Sequence, residues 1–69
     1  MPSLTVGKFY KFMEDNNDLA ICKITYYSKE VLVVDMIGYS VEQHLSAYFF
    51  NGITIEPLEI DDLQFRLLK

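Results

Sequence analysis

The chain contains one histidine and one cysteine, and each scarcity closes off a class of chemistry. A lone Cys22 cannot form an intramolecular disulfide, which rules out a stapled secreted scaffold. No charged-then-apolar leader opens the chain, so the expected setting is reducing and cytoplasmic. His44 has no second His or Cys at ligand spacing; a zinc site would need Cys22 and scattered carboxylates to converge on it. Gly7, Gly38 and Gly52 are isolated from one another, so there is no glycine-rich phosphate loop. Long apolar runs are also missing, and Val31 to Val34 is far too short to cross a bilayer. Cations are few: six Lys and Arg against ten Asp and Glu leave a net charge of −4, which repels a phosphate backbone and argues against a nucleic-acid ligand.

What is present is apolar. Hydrophobic residues make up 51% and aromatics 14% of 69 residues, too rich for a disordered chain. That length supports one domain, residues 1–69, with one core, and a chain of this size buries only about 60% of its unfolded surface. Some apolar surface is therefore expected outside, where contiguous patches mark a partner or self-association.

Val6 to Met13 (VGKFYKFM) reads as a strand running into the polar turn Glu14 to Asp18. Leu19 to Tyr27 and Val31 to Ile37 read as a hairpin around Ser28-Lys29-Glu30. Side-chain parity selects its register. Setting Tyr27 opposite Val31 places Tyr26 opposite Leu32, Ile24 opposite Val34 and Cys22 opposite Met36, which makes one face wholly apolar. The other face then holds Thr25 opposite Val33 and Lys23 opposite Asp35, a cross-strand charge pair. A two-residue loop would pair Lys23 with Val34 and mix both faces, so the three-residue loop is expected.

Ser40 to Phe50 is ambiguous. Ser40 with Gln43 resembles a capping box, and Val41, Leu45, Tyr48 and Phe49 lie at helical spacing. Against a helix stands Asn51-Gly52, a strong two-residue hairpin signal. It would pair Phe50 with Ile53, Tyr48 with Ile55, Phe49 with Thr54 and Ala47 with Glu56. A strand over about Leu45 to Phe50 is the preferred expectation, followed by a last strand that ends at Pro57, which lacks an N–H for the ladder.

Past Pro57 three helix-start signals agree. Asp61 suits the N-cap, Gln64 completes a capping box, and Ile60 with Phe65 matches a hydrophobic staple. Asp62 and Lys69 complement the helix dipole at its two ends. About eight residues do not hold a helix in isolation, so Leu63, Phe65, Leu67 and Leu68 must pack on the sheet or on another molecule. The expected fold class is mainly β (α+β): five short antiparallel strands in a strongly bent sheet or partly open barrel, with the short C-terminal helix plugging one end.

No active site is visible. Cys22 lies on the apolar hairpin face, where a thiol acts as a small filler and not as a nucleophile. Glu59, Asp61 and Asp62 would suit a cation or acid–base pair, but capping already accounts for Asp61. No catalytic residue, cofactor or metal is expected. Tyr10, Tyr27, Tyr39 and Phe49 exceed what one small core readily absorbs, and with Leu63, Leu67 and Leu68 they are the candidate interface.

Residues Ile55, Pro57, Leu58, Ile60, Asp61, Asp62, Leu63, Leu67 and Leu68 resemble a recurrent ending of small uncharacterised proteins from Bacteroidetes genomes, phages and mobile elements, roughly Ile-x-Pro-Ile-Pro-Leu-Thr-Glu-Glu before a leucine-rich helix. The opening Leu4-Thr5-Val6-Gly7-Lys8-Phe9-Tyr10 is similar to the Leu-x-Ile-Gly-Asn-hydrophobic start of that group. Glu59 replaces the second proline and Asp61 the threonine cap. The resemblance implies an SH3-like barrel, often carried by mobile DNA, with no activity to transfer.

The expected function is a non-enzymatic protein-interaction or accessory module, binding an unknown protein partner or itself, away from membranes. Two alternatives stand beside it. One is an acidic inhibitor that mimics nucleic acid toward a host enzyme; the other is a small nucleic-acid-binding barrel.

Overall fold

A computed structural model describes residues 3–46 and 51–69. The strands β1 (Phe9–Glu14), β2 (Asn17–Tyr27), β3 (Val31–Met36), β4 (Gln43–Ser46) and β5 (Ile53–Leu58) precede helix α1 (Asp62–Leu68). They form one antiparallel sheet in the order β4-β3-β2-β1-β5, with β5 carried back to the far side of β1. Among the described residues β4 and β5 are not paired, so the sheet is not closed into a barrel.

One face of the sheet makes the core. Tyr10 and Phe12 of β1, Cys22 and Ile24 of β2, and Leu32, Val34 and Met36 of β3 are buried there with Leu4 from the N-terminal arm. Leu45, from one edge strand, and Ile53 and Ile55, from the other, pack against the same cluster. Both edges reach one core because the sheet curls over it, as expected for a single strongly bent sheet.

Two bulges, both on the long strand β2, set the details. The β1–β2 turn is Asp15-Asn16, both left-handed at φ 50 and 65, as a type I′ hairpin requires. Beyond it Met13 faces Asp18 but Phe12 faces Ala20, so Leu19 is the extra residue and points out. At the other end Cys22, Lys23 and Ile24 face Met36, Asp35 and Val34, the register that parity selected. The expectation fails past Ile24, because Tyr26 faces Val33 and Tyr27 faces Leu32.

The cause is the turn. The Ser28 N–H donates to the Val31 carbonyl at 2.9 Å, leaving a two-residue loop, Lys29-Glu30, where three residues were expected. The Ser28 hydroxyl also accepts from the N–H groups of Glu30 and Val31. A bulge at Thr25 absorbs the mismatch, so the tight turn and the apolar register coexist. Its consequence is a swap of faces, with Tyr27 packed against the core and Tyr26 left 52% exposed.

Other boundaries also move. The first strand begins at Phe9 and not at Val6, because Thr5 to Lys8 is a turn with Gly7 at φ 88, and the Lys8 N–H donates to the Thr5 carbonyl. The last strand continues through Pro57 to Leu58 instead of ending there. As an edge strand it accommodates a residue without N–H when that position faces the open side. Gln43–Ser46 is strand, which excludes the helical alternative for those residues and starts β4 two residues before Leu45. The expected pairings of residues 47–50 with residues 53–56 lie outside the described residues.

Candidate interaction surface

The face of the sheet opposite the core carries a row of residues in register across four strands: Leu58, Phe9, Lys23 and Asp35. Helix α1 lies on this row instead of plugging an end of the sheet. Phe65 is the helix's one buried residue, and its ring sits 5.1 Å from that of Phe9 at an interplanar angle of 45°. Lys23 donates to the Asp62 carboxylate at 2.7 Å, and Lys69 pairs with Asp35. The Lys23 ammonium also stands 5.8 Å from the Phe9 ring centre, and that of Lys69 5.6 Å from Phe65.

The local sequence builds this clamp. Asp61 accepts from the Gln64 N–H at 2.8 Å while the Asp61 N–H donates to the Gln64 side chain at 2.9 Å, so the expected capping box is formed in full. With the start set there, Asp62 and Lys69, seven residues apart, fall on one flank about two turns from each other. They reach down to oppositely charged residues on neighbouring strands. The Lys23 hydrogen bond and its charge hold the Asp62 carboxyl below the ordinary range.

Leu63 and Leu67 stand two positions to either side of Phe65 and point away from the sheet, 64% and 78% exposed; Leu68, on the flank, is 52% exposed. These three form an apolar surface on a helix whose other side is occupied. Lys11, Asp18, Leu19, Ala20, Ile21 and Ile37 line an open depression of about 250 Å³, with Lys11 and Asp18 paired at 3.1 Å.

The remaining candidate residues separate. Tyr10 is buried in the core, and its hydroxyl accepts from the Thr5 N–H at 2.9 Å. Tyr27 is half-buried against the same core. Tyr39 is 53% exposed after the Met36 to Tyr39 turn, and Phe49 lies outside the described residues. Tyr26 was not expected at the surface; only the Thr25 bulge puts it there. The signal for the clamp was present as the spacing of Asp62 and Lys69 against Lys23 and Asp35.

Among the described residues Cys22 and His44 stand on opposite faces of the sheet. Cys22 is sealed in the core, where burial, with a smaller effect of the Asp35 charge, pushes its thiol up from 9.0 to about 12. His44 is exposed on β4, on the opposite face. Among the described residues no three His, Cys, Asp or Glu side chains stand together as a metal site, and no helix is long and apolar enough to cross a membrane. Comparison with protein-family models, with curated proteins and with solved structures finds no match to this chain.

Proposed function

We propose that the protein is a non-enzymatic interaction module that binds a protein partner, or a second copy of itself, through the outward face of α1. The observation that carries this reading is the exposure of Leu63, Leu67 and Leu68 on a helix clamped to the sheet from its other side. A rigidly held apolar patch loses little conformational freedom on docking, which favours binding. Three leucines on a seven-residue helix fall short of the roughly 800 Å² per partner of a standard interface, so a stable complex must also use surface beyond the helix.

In the same reading, the curled sheet is a small SH3-like barrel left open, acting in the cytoplasm of a bacterium or in cells carrying the phages and mobile elements whose proteins its two ends resemble. Light scattering on the purified chain, with capture from bacterial lysate, tests the proposal. A complex or self-association that is lost in Leu63→Ser/Leu67→Ser, with the melting temperature unchanged, supports it. A strictly monomeric protein that captures nothing overturns it.

A further inference from the structure

We infer that α1 is a salt-sensitive latch, which lifts from the sheet while the five strands stay folded and uncovers Phe9 and Phe65 together. The inference concerns the side of the helix that faces the sheet and does not depend on what, if anything, docks on the outward leucines.

Four observations carry it. The helix has seven residues, too few to persist alone in water, so its order depends on docking. Only Phe65 is buried in it, against eight side chains in the core cluster of the opposite face. Phe9 and Phe65 lie outside that cluster, so separating them leaves the main core intact. The rest of the attachment is charge at both ends, Lys23 with Asp62 and Lys69 with Asp35, each pair partly open to solvent and therefore weakened by salt. The sheet is held by backbone ladders on both sides of β1, β2 and β3 and by the apolar core cluster, so charge is a smaller share of what holds it.

A helix attached this way opens below the threshold of global unfolding. Lifting it exposes two aromatic rings that are buried against each other in the closed state, Phe9 on the sheet and Phe65 on the freed segment.

Hydrogen exchange on the full chain tests this, together with the nuclear Overhauser contact between the Phe9 and Phe65 rings. The amides of α1 should exchange at least tenfold faster than those of β2 and β3. Raising NaCl from about 50 mM to about 1 M should speed α1 exchange roughly threefold or more and weaken the ring contact, with the sheet unchanged. Lys23→Gln and Asp62→Asn should each accelerate α1 exchange at low salt and reduce its response to added NaCl, with the sheet unchanged. Exchange of α1 at the same salt-independent rate as β2 and β3 would overturn the latch, as would faster exchange with the Phe9–Phe65 contact intact, which is fraying in place.

Discussion

Lys23 and Asp35 face each other across β2 and β3, yet each is engaged by the helix above them, Lys23 by Asp62 and Asp35 by Lys69. Two opposite charges on adjacent strands thereby become two ends of a cradle. The arrangement gives α1 a direction as well as a position, because its acidic first turn must lie over β2 and its basic end over β3. It also joins local and global order: Asp61 and Gln64 start the helix, and the start places Asp62 within reach of Lys23.

The Asp62 pair has a defined pH dependence. Its carboxyl is held below the ordinary value in the folded state, so the unfolded state takes up the proton first as pH falls. The contribution of the pair is therefore complete above the ordinary carboxylate range and is lost as pH falls through the depressed value. An NMR titration should show Asp62 turning over below the ordinary aspartate range, with exchange of α1 speeding over the same interval. In Lys23→Gln the depression should shrink; an unmoved Asp62 titration would show that Lys23 is not its cause.

Phe12 and Phe65 are both buried aromatics, but on opposite faces, and their replacement should differ in kind. Phe12 is fully enclosed in the core, and Phe12→Ala should cost about 3–5 kcal/mol, most of the stability available to a chain of this size. If α1 is released as a latch, Phe65→Ala should cost no more than its docking, about 3 kcal/mol or less, because the sheet stays folded. Urea unfolding followed by circular dichroism checks the ranking. Equal losses would mean that the helix and the sheet unfold as one unit.

Much of this architecture was legible because it is local or periodic. The capping box is a three-residue relationship between Asp61 and Gln64, and the register of Cys22 with Met36 follows from alternation. The bulge at Thr25 was not legible, because side-chain parity read the apolar register from Cys22 to Ile24 correctly but took a three-residue loop to be its consequence, whereas the chain keeps that register with a tight turn at Lys29-Glu30 by adding one residue. That one residue decides which of Tyr26 and Tyr27 is buried. Tyr10 read as surface because the group that satisfies its hydroxyl is a backbone N–H from the N-terminal turn, invisible to side-chain patterns. The sequence left Leu63, Phe65, Leu67 and Leu68 to divide between the sheet and another molecule; the fold puts Phe65 on the sheet and leaves the leucines exposed, on a face of the sheet that patterning did not single out.

The Asp15-Asn16 turn can be improved. Both residues take left-handed φ, where glycine is unstrained and Asn-Gly is the preferred type I′ pair. Asp15→Asn with Asn16→Gly should stabilise the chain by about 0.5–1 kcal/mol, and Asn16→Val should destabilise it by a similar or larger amount. Thermal unfolding of the three proteins checks the order. A turn insensitive to both changes would contradict the assigned hairpin.

Cys22 gives the molecule an alkaline limit. Its thiol, pushed up from 9.0 to about 12, stays protonated in the fold over a range in which the unfolded chain ionises, so the unfolded state binds fewer protons there. Stability from this source is intact below pH 9.0 and falls as pH rises toward about 12, by at most about 1.4 kcal/mol per pH unit. The informative comparison is with Cys22→Ala, which removes the thiol and leaves every other titratable group in place. Urea midpoints measured from pH 8 to pH 10.5 should fall less steeply in Cys22→Ala than in the parent. The parent thiol should react with an alkylating reagent only as fast as the sheet opens. Identical slopes, or rapid alkylation of the native protein, would place Cys22 in contact with solvent and outside the core.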